Sequence, residues 1–235
     1  MHIIGIGGLK RSGKDTFARV VADVARADGI AVTVIAFADA VRQAAAAAYG
    51  VDAAAFTDDA RKDTICEAWG ITYRQMLINL GEAMRGVDAD HWVKAWRRVA
   101  ARHNRTCEYG QESDKPLLVL VPDLRRVNEA QAIHDAGGMT VLMRRPGVEW
   151  DGHETEVLAH LAQHQDEVKT KALGCLYTHS ADTMSLSYKQ DAQCKQLYDN
   201  VVDNPVALGA QATEDDAVTL RRLAVEVLID ATGRR

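Results

Sequence analysis

No two cysteines in this sequence stand at metal-ligand or redox spacing: Cys66, Cys107, Cys175 and Cys194 are scattered, with no C-x-x-C pair. That argues against a zinc site or a disulfide scaffold and for reduced thiols in a cytosolic protein. A bilayer-spanning run of ~20 apolar residues is also missing. The chain enters an apolar strand within three residues of Met1, which leaves no room for a signal peptide. The expected location is the cytoplasm, or a host cytoplasm if the gene is viral. A basic excess is lacking too: the net charge is −5, with a pI near 5.9. This speaks against a general nucleic-acid or membrane-surface binder. Internal repeats and low-complexity linkers are absent. What remains is 235 residues, 47% hydrophobic and 26% charged, enough for one domain with a sizeable core.

The most informative stretch is Gly8-Leu9-Lys10-Arg11-Ser12-Gly13-Lys14-Asp15-Thr16, directly after the apolar run Ile3-Ile4-Gly5-Ile6. It has the G-x-x-x-x-G-K spacing of a phosphate-binding loop between a buried strand and a helix. Glycines let the backbone curl so that its N–H groups converge on phosphate oxygens. The helix that follows adds its positive N-terminal end. Lys14 places a mobile ammonium against the β- and γ-phosphates. The next residue, commonly a Ser or Thr that binds Mg²⁺, is Asp15, followed by Thr16. Asp15 either holds Mg²⁺ through water or caps the helix start; both readings stay open.

Periodicity predicts strands at about 2–7, 31–37, 117–121, 139–143 and 200–203. It predicts helices at about 15–27, 39–49, 72–84, 90–103, 127–136 and 215–231. Residues 56–69 read as polar and irregular, and Trp92 and Trp96 as core. Alternation of strand and helix, without tight hairpin signals, implies a parallel sheet covered on both faces. The expected class is α/β, a three-layer P-loop kinase fold with a parallel five-stranded sheet and a lid-like insertion. One domain spans 1–235, with an acceptor-binding insertion at about 52–104 and the lid at about 148–197. In such sheets ligands sit beyond the carboxyl ends of the strands.

Phosphoryl transfer needs charge compensation around the moving group and a second anionic site for the acceptor. Arginines stand where strands end: Arg125 and Arg126 after Asp123, and Arg144 and Arg145 after the fourth strand. Arg74 and Arg85 lie on the helix after the polar loop. Each side chain can grip a phosphate with two parallel bonds. His160 and His164 are four apart, but no third ligand stands nearby in sequence, so they read as a solvated helix face.

In order along the chain stand four blocks: the loop with its Ser12-Gly13-Lys14-Asp15-Thr16 variant; Tyr73-Arg74 through Leu80-Gly81, with Asp90-His91-Trp92-Val93-Lys94; Val121-Pro122-Asp123-Leu124-Arg125; and Arg145-Pro146-Gly147, followed by His153-Glu154-Thr155-Glu156. Together they resemble the deoxynucleoside monophosphate kinases of bacteriophages, within the wider nucleoside monophosphate kinase group, over roughly the first two thirds of the chain. The resemblance implies γ-phosphoryl transfer from ATP to a deoxynucleoside 5′-monophosphate with Mg²⁺. It implies that Gly8, Lys10, Arg11, Ser12, Gly13, Lys14, Asp15 and Thr16 hold ATP, with Asp15 and Thr16 towards the metal. Arg74 and Arg85 would bind the acceptor, with Asp123 and Arg125 beside the transferring group and Arg145 over it from the lid side. Lys14, Arg125 and Arg145 are then the catalytic set. The chain departs from the family at Ile78, where Gln is common, and at Gly81-Glu82, where Gly-Thr is common; both fall near the expected acceptor pocket and leave the base open. The expected partners are the two nucleotides, with no nucleic acid and no membrane; a homodimer is compatible with the sequence. Two rivals remain: another P-loop small-molecule kinase, such as a phosphomevalonate kinase with its similar Lys-x-Ser-Gly-Lys-Asp loop, and an NTP-dependent regulatory or assembly protein.

Overall fold

The computed structural model describes residues 1–108, 116–150, 159, 198–207 and 209–233. Strand β1 (His2–Gly7) is buried on both faces from its second residue onward, as suits an inner strand of a parallel sheet. It is flanked by β5 (Leu117–Leu124) and β6 (Met139–Arg144), with β2 (Ala31–Val34) and β7 (Asn200–Asp203) at the edges. The order β2–β5–β1–β6–β7 is parallel at every pairing, giving the expected five-stranded sheet.

Alternation along the strands divides the core. Ile4, Ile6, Leu118, Leu120, Val141 and Met143 pack against α1 (Lys14–Ala27) and α6 (Glu214–Thr232) through Phe17, Val21, Leu220 and Val227. Ile3, Val119, Val121 and Leu142 face the opposite way, onto α4 (His91–Glu108) and α5 (Val127–Asp135) through Trp96 and Ile133. The result is a three-layer α/β fold. Trp92 and Trp96 are core, each with its indole N–H satisfied: Trp92 by Gly81 O at 3.0 Å and Trp96 by Ile35 O at 3.0 Å. No helix among the described residues is long and apolar enough to cross a membrane.

Between α2 (Phe37–Tyr49) and α4 lies a smaller helical layer. A short 3-10 turn (Ala53–Phe56) and α3 (Tyr73–Val87) close on α2 through Ala45, Phe56, Cys66 and Met76. Thr72 caps α3, its hydroxyl accepting the Gln75 N–H at 3.1 Å. Within the stretch read as irregular, β3 (Ile65–Cys66) and β4 (Ile71–Thr72) form a minimal antiparallel hairpin. Strands of two residues are too short to show alternation.

Two boundaries also move for physical reasons. The second strand stops at Val34 rather than Phe37, because the Asp123 carboxylate accepts the N–H groups of Phe37 and Ala38, both at 2.9 Å, and so starts α2 there. The strand at Leu117 continues past Pro122 to Leu124: the register against β1 slips between Gly5 and Gly7, so the proline, which has no N–H, sits in an irregularity. Apart from residues 148–150 and Ala159, the expected lid lies outside the described residues, as do His153–Glu156, His160 and His164.

Candidate active site

The loop between β1 and α1 has the curled backbone that phosphate binding requires. Gly8 and Gly13 have φ of 151° and 93°, and Arg11, at 67°, is the only non-glycine with positive φ among the described residues. A Cβ on Gly8 would meet the Met143 carbonyl oxygen at 2.5 Å, and one on Gly13 would overlap the Asn204 side-chain amide. Gly13 is the N-cap of α1 and offers no side-chain acceptor to the first N–H groups of the helix. An anion is the natural occupant. Ser12 is fully buried at the same point, and its hydroxyl finds no hydrogen-bond partner among the described residues. Lys14 is half-buried at the first helical position, while Asp15 and Thr16 are exposed in the first turn.

The loop is braced from the far end of the sheet. Buried Asn204, just after β7, donates its amide N–H to Ser12 O at 3.0 Å and accepts the Val206 N–H at 3.0 Å. Arg145 donates to the carbonyls of Val206 at 2.7 Å, Arg11 at 3.1 Å and Ala207 at 3.1 Å. Its guanidinium thus ties the loop to the turn after β7. Because a lysine cannot reproduce this fork, Arg145→Lys and Arg145→Ala should both weaken the loop's hold on a polyphosphate anion, about tenfold for the loss of roughly 1.4 kcal/mol of hydrogen bonding. Equilibrium titration with inorganic triphosphate checks this.

Beyond the end of β5, which pairs Leu124 with Gly7, charged side chains gather. Asp123 spends both carboxylate oxygens on the start of α2; burial pushes its carboxyl above the usual range, against those two N–H donors, Arg42 and Arg125. It therefore fixes α2 relative to the sheet. Arg125 is exposed at the strand end. Arg126 opens α5, where the backbone N–H groups of Arg125 and Arg126 donate to Glu129 at 2.9 and 3.0 Å. Arg126 also donates to Glu82 at 2.8 Å, and Arg85 donates to the same oxygen at 2.7 Å. Arg74, on α3, pairs with Asp63 through two bonds, 2.6 and 3.1 Å long. Asp63 is held below the ordinary carboxylate range chiefly by Arg74, with smaller contributions from Lys62 and from Lys10 of the phosphate loop.

Burial pushes the Glu129 carboxyl up to about 7; the nearby Asp123 charge adds to the rise, while the N–H groups of Arg125 and Arg126 and the Arg126 charge oppose it. With the folded value above the unfolded one, the native chain holds this proton more tightly. Its contribution is present at low pH and is lost as pH rises through about 7. Unfolding free energies measured between about pH 5 and about pH 8 should fall by roughly 2–3 kcal/mol more in the wild type than in Glu129→Gln, which keeps an acceptor but not the buried charge.

The structure thus gathers Gly8, Lys10, Arg11, Ser12, Gly13, Lys14, Asp15, Thr16 and Arg145 at one strand end, with Asp123 and Arg125 at the end of the adjoining β5. Arg85 joins them through Glu82 and Arg126, while Arg74 stands on α3 paired with Asp63. Two contributors escape the sequence reading: Glu129, whose only signal is its place as the third residue of a helix, and Tyr198, whose buried hydroxyl lies where a Cβ on Gly7 would fall and which carries none. A cavity of about 370 Å³ between the end of β2, α2 and α4 is lined by Asp39, Arg42, Trp96 and His103 and by no residue of the loop.

No family model and no curated protein matches the chain. Among solved structures it aligns with a gluconokinase from Sinorhizobium meliloti 1021 at 16% identity, over 98% of this chain and 97% of that one, with a TM-score of 0.31. A likeness of that size carries no argument about fold or substrate.

Proposed function

We propose that this chain is a P-loop phosphotransferase that moves the γ-phosphoryl group of ATP to a deoxynucleoside 5′-monophosphate. The observation that carries the reading is the glycine-curled loop leading into a helix start without a side-chain cap, with the arginines that follow β5 at the neighbouring strand end. Through Glu82, Arg126 connects that end to Arg85 on α3. The order and identity of the motif blocks supply the substrate class.

ATP phosphates would rest on Gly8–Thr16, with Lys14 against the β- and γ-phosphates. Mg²⁺ arriving on those phosphates fits Asp15 and Thr16: one carboxylate and one hydroxyl are exposed there, and among the described residues no group of three His, Cys, Asp or Glu forms a separate cage. The metal would neutralise charge on the β- and γ-oxygens. Arg74 binds the acceptor phosphate, exchanging Asp63 for it, and Arg125 compensates the in-flight group. Arg85 is committed to Glu82, so its part is to set the acceptor wall. In the reaction an acceptor phosphate oxygen forms the new P–O bond, the bond to the β-phosphate oxygen breaks, and ADP leaves. The acceptor is already an oxyanion, so no general base is required, and catalysis is positioning and electrostatics.

ADP formation with Mg-ATP and dTMP, dGMP, dCMP, dAMP, their ribose counterparts or phosphomevalonate, one at a time, tests the reading. Turnover that depends on a deoxynucleotide supports it. ATP binding without stimulation by any nucleotide contradicts it.

A further inference from the structure

We propose that Glu82 reads the base of the acceptor, which presents N–H donors to it, guanine most fully; this rests on the nucleotide-kinase reading above. Arg74, Ile78, Glu82 and Arg85 are spaced i, i+4, i+8 and i+11 and so share one face of α3. Met76, Leu77 and Leu80 pack on α2 from the opposite side of the helix, and Gly81, where a Cβ would come within 3.8 Å of Val41, borders the two faces. At about 1.5 Å per residue, Glu82 stands roughly 12 Å along the helix from Arg74. That is the length of a nucleotide laid from a phosphate at Arg74 to a base at Glu82. Ile78, 39% exposed, offers an apolar surface midway.

The Glu82 carboxylate is built asymmetrically. Oε1 takes both guanidinium bonds, from Arg85 on its own helix and from Arg126 at the start of α5. Oε2 has no partner among the described residues, and the side chain is 37% exposed. Two cations from different elements fix the group, and the open oxygen can only accept. Guanine offers adjacent N1–H and N2–H donors to such an oxygen, with O6 on the side where a guanidinium can donate. Adenine and cytosine offer one amino group beside a ring acceptor. Thymine offers one N–H between two carbonyls, both of which face the carboxylate unfavourably.

The test is kcat/KM of the wild type and Glu82→Ala on dGMP, dIMP and dTMP. Expected for the wild type is dGMP over dTMP by about tenfold or more, with dIMP, which lacks the 2-amino group, in between. Glu82→Ala should bring the dGMP/dTMP ratio to within about threefold, for loss of the discriminating contact. A ratio unchanged in the variant, with all acceptors losing equally, reduces Glu82 to a clamp for Arg85 and Arg126 and overturns the proposal. Wild-type preference for dTMP, or equal use of dGMP and dIMP, overturns it without any variant and leaves the kinase reading standing. Absence of turnover with every nucleotide removes both.

Discussion

Replacing Lys14 with alanine should lower kcat by about a hundred- to a thousandfold, the usual cost of removing one preorganised charge-stabilising donor from a transition state. Lys14 is the first residue of α1, where the helix start carries no side-chain cap, so in the proposed reaction the ammonium and the helical N–H groups would act on the same phosphates. The amides of Gly8–Gly13 survive the substitution, and ATP binding should weaken less than turnover falls. Lys14→Arg should not restore the rate, because a planar fork cannot replace a compact ammonium in a loop closed this tightly. Single-turnover rates with saturating ATP, beside a melting curve showing the variant folded, separate this from simple instability.

Replacing Trp96 with alanine should destabilise the chain by about 3–5 kcal/mol, in the range for truncating a buried aromatic. Trp96 is 2% exposed, packs its ring on Phe37 with centroids 4.9 Å apart, and donates its indole N–H to Ile35 O. The alanine leaves a cavity and an unpaired carbonyl at once. At about 2–4 °C per kcal/mol for a chain of this size, the melting temperature should drop by ten degrees or so. Trp96→Phe keeps most of the volume and should cost only about 1 kcal/mol beyond packing, for the lost hydrogen bond. The residues it supports, Ile35 to Phe37, lead into the start of α2 that Asp123 holds, so function should suffer with stability.

The parts of this molecule legible in its sequence are those set by local spacing. The phosphate loop announces itself because glycine freedom, a lysine and a strand-to-helix switch all fall within a dozen residues. The strands 2–7 and 139–143 show as apolar runs because both their faces are covered. The arginines of α3 and those that follow β5 stand out in the sequence, but their partners do not. Glu82 meets Arg126 across 44 residues and Asn204 meets Ser12 across 192, and no periodicity records such pairs. In the sequence Arg145 stands beside Arg144 as a cation after a strand, expected over the transferring group; its three carbonyl partners, which tie the loop to the turn after β7, are not legible there. The early end of β2 had the same origin: a carboxylate 86 residues away captures the Phe37 N–H and begins a helix there.

The measurement that bears most directly on the central claim is the fate of the γ-phosphoryl group itself. ATP labelled in that position would be incubated with Mg²⁺ and a mixture of the four deoxynucleoside monophosphates, and the labelled products separated and identified by mass. The account predicts label in at least one deoxynucleoside diphosphate, formed in step with ADP, and none in the Lys14→Ala reaction. Label released only as inorganic phosphate, at a rate indifferent to the nucleotides, would contradict it.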